Sequence, residues 1–183
     1  ISRKEKNNVI ILSIGQLLKH KNYHTALEGL SLIKNYDFKW IIAGDGPQKI
    51  ELLKKRDLLG LKNKVQFLGQ IDHIGPLLKK SDIFLMPSLW EGFGLAAVEA
   101  MNASLPLVVS NIHGLKEVTK TNPPCAIFID PNKPITIAQN ITKLIKSHEL
   151  RLELGLAGFN HSKKYNINTM VNNHIKLYKK LTS

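Results

Sequence analysis

Cysteine is almost missing from this chain of 183 residues. Cys125 stands alone, which excludes a disulfide framework and a multi-cysteine zinc site. Long apolar runs are missing too: the longest, such as Ile83 to Met86, stop far short of the about 20 residues a membrane-spanning helix needs. Composition excludes collagen-like, coiled-coil and low-complexity classes. No signal peptide opens the chain, and it begins at Ile1 rather than Met, so a piece of a longer chain is expected. Acids are scarce, 14 against 26 Lys and Arg, for a net charge of +12. That balance admits nucleic acid, anionic lipid or phosphate-bearing ligands. No dense Arg block, zinc finger or aromatic-basic pattern accompanies it. A solvated, lysine-rich surface therefore accounts for most of the charge, and no nucleic-acid partner is expected. Hydrophobic residues make up 43%, enough for a core, and the length suits a single domain spanning 1–183.

The apolar pattern alternates between short β-rich runs and longer helical stretches. Val9 to Ile14, Phe38 to Ala43, Val65 to Leu68, Ile83 to Met86, Leu105 to Val109 and Ala126 to Ile129 are continuous apolar runs, mostly closed by Gly or Pro. Such runs read as strands buried on both faces, the mark of a parallel sheet. Between them, Tyr23 to Lys34 puts Ala26, Leu27, Leu30 and Ile33 on one helical face. Residues 48–59, 74–80, 95–103, 114–120 and 134–146 are also expected to be helical, with Pro47 suited to a first turn. Two further helices are expected at 149–164 and 168–181. The fold class is therefore α/β: a Rossmann-like doubly wound parallel sheet of about six strands with a helical C-terminal tail. Residues 1–8 read as a tail or linker, 9–147 as the α/β core and 148–183 as C-terminal helices.

Ligands of such sheets bind beyond the C-terminal strand ends. Those ends carry Gly15-Gln16, Gly44-Asp45-Gly46, Gly69-Gln70, Pro87-Ser88 and Ser110-Asn111. Gly44-Asp45-Gly46 lacks the third glycine and the later acid of a dinucleotide fingerprint, so a tight turn with Asp45 near a helix cap is the better account. The richest segment is Pro87 to Ala103. Gly92 and Gly94 precede a helix N-terminus, which offers free amides and a positive dipole end to an anion such as a diphosphate. The helix that follows, Leu95 to Met101, is apolar nearly all round and is expected to be buried, with Glu99 as the one charge inside it. A carboxylate there suits hydrogen bonding to sugar hydroxyls, against the plainer account of an acid satisfied by backbone or Lys. Glu91 faces the same crevice, with a surface loop acid as the competing account. His20 and His24, four apart, lack a third ligand, so no metal is expected. Cys125, Met86, Met101 and Trp40 read as core, whereas Trp90 edges the crevice. Val171 to Leu181 carries Ile175, Tyr178 and Leu181 on one face. Docking against the protein is its expected use, with a peripheral contact on an anionic membrane as the alternative.

These pieces together resemble retaining glycosyltransferases of family 4, which have the GT-B fold. Glu91-Gly-Phe-Gly-Leu95 with Glu99 resembles their E-x7-E signature. Gly15-Gln16-Leu-Leu-Lys-His-Lys21-Asn22 resembles a G-R-L-x-x-x-K-[GN] loop. Ala43-Gly-Asp-Gly-Pro47, Val65-Gln-Phe-Leu-Gly69, Asp82-Ile-Phe-Leu-Met-Pro-Ser88 and Pro106 to Glu117 match further family motifs in order. The resemblance spans about residues 9–181 and implies the C-terminal, donor-binding half of such an enzyme, with the N-terminal acceptor domain absent. It implies a UDP- or GDP-linked sugar as donor, no cofactor and no metal. Glu99 would hold the ribose hydroxyls. Glu91, the backbone of Gly92, Phe93 and Gly94, and Leu95 would address the transferred sugar and diphosphate. Lys21 would neutralise the diphosphate beside the Gly15 loop, and Leu68, Gly69 and Gln70 would bracket the base. The implied reaction is front-face displacement with retention, on a glycan or lipid-linked acceptor held by the absent half. A cytoplasmic location is expected from the donor pool, with a peripheral one at the inner membrane face as the alternative.

The chain departs from the pattern twice. Gln16 stands where the family has Arg, and losing one preorganised donor costs roughly 10²–10³ in rate, about 3–4 kcal/mol. His113 stands where the family often has Gly. Gln16 keeps a noncatalytic nucleotide-sugar-binding module as an alternative, and a GT-B epimerase or phosphorylase is a second.

Overall fold

The computed structural model describes residues 8–182, so all of the expected tail except Asn8 lies outside the described residues. Six parallel strands form one sheet: β1 (Val9–Ile14), β2 (Phe38–Ala43), β3 (Val65–Gly69), β4 (Ile83–Met86), β5 (Leu107–Ser110) and β6 (Ala126–Ile129). Their order is β3-β2-β1-β4-β5-β6, so the winding direction reverses between β1 and β4. The helices are α1 (Tyr23–Ser31), α2 (Lys49–Leu58), α3 (Gly75–Lys80), α4 (Leu95–Asn102), α5 (His113–Thr119), α6 (Pro134–Lys146), α7 (His148–Ser162) and α8 (Ile167–Thr182).

The core lies in two layers because the central strands are apolar on both faces. One layer packs Ile11, Trp40, Ile42 and Leu85 against Leu27, Leu30, Ile137 and Ile141 of α1 and α6. The other packs Leu12, Phe84, Met86 and Val109 against Ala97, Met101, Leu115 and Val118 of α4 and α5. Cys125 is buried in the second layer, its Sγ 3.2 Å from the Thr119 carbonyl. Some of the polar groups inside are matched, whereas the Ser110 hydroxyl in β5 and the Gln48 amide oxygen are buried without a partner among the described residues. The Trp40 indole N–H donates to Ser13 Oγ at 2.9 Å, and that hydroxyl donates to the Leu85 carbonyl at 2.6 Å.

Several boundaries depart from the sequence reading. α1 ends at Ser31, three residues early, and the chain leaves through turns over 32–35. β5 begins at Leu107, because Pro106 brings no N–H to the ladder. α2 begins at Lys49, leaving Pro47 outside it, and Asp45 caps nothing. Its carboxylate instead accepts from the Gly46 amide at 2.7 Å and from Lys49 at 2.6 Å. α7 does carry a cap, the Ser147 hydroxyl accepting from the Leu150 amide at 3.1 Å. α8 does not dock its apolar stripe: Ile175, Tyr178 and Leu181 remain exposed, because no surface of the described chain lies over them.

Candidate functional site

The reversal point between β1 and β4 brings two loops together. The β1 loop runs through Gly15 and a 3-10 turn over Lys19–Lys21 to Asn22. The β4 loop runs from Pro87 to Gly94. Asn22 fastens them. It sits in the left-handed region (φ 56) and is buried, and its amide donates to the Pro87 carbonyl at 3.1 Å and the Pro131 carbonyl at 2.7 Å. The Leu89 amide adds a bond to the His20 carbonyl at 2.7 Å, and the His20 ring stacks on Trp90 with centroids 4.3 Å apart.

This fastening sets Lys21 Nζ 2.6 Å from Glu91 Oε1, with 16% and 11% of the two side chains exposed. Ser88 donates to the same oxygen at 2.8 Å. Lys21 runs beside Gly15, its Cε within 3.4 Å of where a Gly15 side chain would start. Tyr23 lies beneath, its hydroxyl 3.4 Å from the Gly15 carbonyl. Burial, and then the negative charge of Glu91, raise its phenol well above the usual tyrosine range and keep it neutral. From the other side, α5 supports the Glu91 loop. A side chain at Gly114 would begin 2.3 Å from the Glu91 carbonyl and 2.5 Å from that of Gly92, so this contact needs glycine.

Gly94 (φ +77) begins α4, and no side chain caps its first turn. The leading amides of a partly apolar helix thus face the crevice beside an open Gly92. Contrary to the all-round buried helix expected from composition, α4 buries only Ala97, Ala100 and Met101. Leu95 and Glu99 are exposed. Glu99, expected inside a buried helix, therefore stands open, while Glu91, expected at the crevice with a surface loop acid as the competing account, is enclosed and paired. An apolar run cannot reveal which side of a helix forms the wall of a crevice. Glu99 lines a hollow of about 640 Å³ with Ile74 and Leu78, and partial desolvation there pushes its carboxyl up. A second hollow of about 310 Å³ is lined by Gly15, Gln16, Gln70 and Ile74, so Ile74 joins the two.

The structure thus gathers Gly15, Lys21, Glu91, Gly92 and Gly94 around one ion pair, and Gln16 and Gln70 around an adjoining hollow. Gly69 holds the strand ends together, its carbonyl accepting from the Gly44 amide at 2.7 Å. Leu68 is half-buried in β3 and lines neither hollow. Phe93 packs edge-on against Tyr165 at 5.6 Å. Asn22, Ser88, Tyr23 and Gly114 complete the site and were not marked as site residues from sequence. Ser88, polar at the end of a fully apolar strand and three residues before Glu91, carried the clearest hint. His20 and His24 do not converge: one stacks on Trp90, the other lies 3.6 Å from Glu51. Among the described residues no three His, Cys, Asp or Glu side chains are placed to hold a metal.

The family model for glycosyl transferases group 1 matches residues 1–161. The chain belongs to that family. An uncharacterized glycosyltransferase of Methanocaldococcus jannaschii is 30% identical over 176 residues, which is 93% of this chain and 48% of that protein. Among solved structures, Anabaena HepE in complex with UDP and glucose superposes with a TM-score of 0.88 at 22% identity, over 95% of this chain and 49% of that one. The C-terminal domain of a group 1 protein from Francisella tularensis superposes at 0.78 with 25% identity, over 87% of each chain. The fold is thus that of one half of a GT-B protein. The chain spans 37%, 48% and 40% of three curated relatives that it matches. Among the described residues no helix is long and apolar enough to cross a membrane.

Proposed function

We propose that this chain is the donor-binding half of a retaining glycosyltransferase that moves a sugar from a UDP- or GDP-sugar to a glycan or lipid-linked acceptor. The observation that carries the reading is the Lys21–Glu91 pair, held at 2.6 Å beside Gly15 and the uncapped start of α4. A cation and helix amides at one point suit a diphosphate, and a carboxylate beside them suits sugar hydroxyls. On donor binding, Lys21 turns to a diphosphate oxygen and Glu91 accepts from the sugar. Glu99 accepts from the ribose hydroxyls, with the nucleoside in the hollow that joins Ile74 to Gly15. The bond between anomeric carbon and diphosphate oxygen breaks, and the acceptor oxygen bonds on the same face. The acceptor proton leaves with the departing phosphate. The chain's own residues supply positioning and charge neutralisation. Acceptor recognition belongs to the remainder of the protein, in the cytoplasm, and α8 offers a peripheral membrane contact.

Calorimetric titration with UDP, GDP, ADP and their sugar conjugates tests this. One nucleotide should bind, and Glu99→Ala should weaken it by roughly 10–100-fold, the worth of one hydrogen bond to a charged group. Lys21→Ala should weaken the diphosphates more than the free nucleoside. Binding indifferent to both substitutions would remove the crevice as the site. The exposed, neutral Gln16 favours a second reading, a binding module without turnover. Gln16→Arg should then raise diphosphate affinity, with no sugar transfer by the complete protein.

A further inference from the structure

A second concave site lies far from the crevice. The outer edge of the sheet is β3, and beside its start α2 and the turn before β3 enclose a cleft of about 250 Å³. Lys39 lies second in β2, and Lys62, Asn63 and Lys64 lead into β3. The strands are parallel, so this is the end of the sheet opposite the crevice. Lys39, Arg56, Lys62 and Lys64 line the cleft with the neutral donors Asn63 and Gln66, and no carboxylate does.

The four cations are not equivalent. Lys64 is committed, donating to the Tyr36 carbonyl at 2.7 Å with its ammonium 5.0 Å above the Phe38 ring. Arg56 is 15% exposed; its Nε donates to Asp57 at 2.7 Å and its Nη1 lies 3.4 Å from the Val65 carbonyl. Its Nη2 has no partner among the described residues. Lys39 and Lys62 are exposed and form no ion pair among the described residues. A guanidinium held through two of its nitrogens keeps the third, a charged and positioned donor, for an oxyanion, with two exposed ammoniums beside it. Asp57 neutralises only part of this charge.

We propose that this cleft is an anion site for a phosphomonoester or diphosphate group, presented by a lipid headgroup or by a soluble phosphate compound, and separate from the crevice. Arg56 fixes the oxyanion through Nη2, and Lys39 and Lys62 close on it. The competing account is edge protection, in which lysines flank an open strand to prevent pairing with another chain.

Backbone NMR of this chain, titrated with inorganic pyrophosphate, tests the site. Co-sedimentation with vesicles containing phosphatidic acid, a lipid phosphomonoester, against phosphatidylcholine vesicles, separates the two sources. The amides of Asn63, Gln66 and Lys39 should shift saturably with pyrophosphate, or the chain should sediment with the anionic vesicles alone. Both effects should fade with salt. The exposed double substitution Lys39→Glu/Lys62→Glu should weaken the interaction by about tenfold or more, since each reversal turns an attraction into a repulsion. Arg56→Lys, which keeps charge and loses the positioned Nη2 donor, should weaken pyrophosphate while circular dichroism stays unchanged. Lys21→Ala should leave the cleft response intact, so failure here is distinct from failure of the donor reading. Saturable pyrophosphate shifts without vesicle binding would assign a soluble ligand, and the reverse a headgroup. Three results would overturn the proposal: shifts confined to the Gly15 and Gly92 loops, no response to either probe, or equal binding by the double variant. A double variant that self-associates while the natural chain binds neither probe would assign the lysines to edge protection.

Discussion

Asn22 offers the sharpest quantitative test, because one side chain joins three strand ends. Asn22→Ala orphans the buried Pro87 carbonyl, which costs about 1–3 kcal/mol. The Pro131 carbonyl is half-buried and regains water, so it adds less. Alanine must also take up φ 56, a conformation costing an ordinary residue about 1–2 kcal/mol. The expected total is about 2–5 kcal/mol. Asn22→Gly loses the same bonds but not the conformational freedom. It should cost about 0.5–1 kcal/mol less than alanine, once glycine's looser unfolded chain is counted. Urea unfolding at constant slope measures both. Asn22→Gly within about 0.5 kcal/mol of the natural chain would show that the side-chain bridge contributes nothing. Asn22→Ala as stable as Asn22→Gly would refute the backbone argument. If the bridge sets the ion pair, both variants should also weaken any ligand that engages Lys21.

Two further outcomes follow from the geometry. Gly114→Ala puts a methyl 2.3 Å from the Glu91 carbonyl, so the Glu91 loop must move; a loss of about 1–3 kcal/mol and weakened diphosphate affinity are expected, checked by unfolding and calorimetry. His161 lies with Nε2 3.0 Å from the Val118 carbonyl, and burial, then Lys164, hold its pKa below the ordinary 6.5. The unfolded chain therefore binds the proton more readily. The contribution of this histidine is complete above about pH 6.5 and is lost as pH falls toward its lower folded value. His24 shifts the same way, chiefly by burial. The lowered carboxylates Asp45, Asp57 and Asp130 titrate at still lower pH. The melting temperature should drop between about pH 7 and pH 5, and the drop should shrink in His161→Asn. An undiminished drop would assign the effect elsewhere.

The six strands were legible because each is a largely apolar run, four of them closed by Gly or Pro, and the two-faced burial followed from that pattern. Loop order was legible in the glycines at strand ends. Burial at the site was not. Glu99 sits in an apolar segment yet is open, because the side of α4 it stands on is the wall of an open hollow facing α3. Glu91 sits between polar and glycine residues yet is enclosed, because Lys21, some 70 positions away in sequence, closes over it. Local pattern reports propensity and periodicity, whereas these two outcomes depend on which loops meet at the reversal of the sheet. The same limit applies to Gly114, whose need for glycine arises from carbonyls more than 20 residues distant.

The closed Lys21–Glu91 pair has a consequence for a molecule with so many lysines. A bare cation in the crevice would attract phosphate, nucleic acid or lipid indiscriminately. Sealed under a carboxylate, it presents a locally neutral surface, and simple anions gain little by entering, since each must displace Glu91 and leave that acid without its counter-charge, with the Ser88 hydroxyl as its remaining donor. The exchange becomes favourable for a ligand that brings an anion for Lys21 and hydroxyl donors for Glu91 in the same molecule. On the donor-site proposal above, the pair would act as a two-key lock, turning a general electrostatic attraction into a demand for a phosphate and a polyol joined at a set distance.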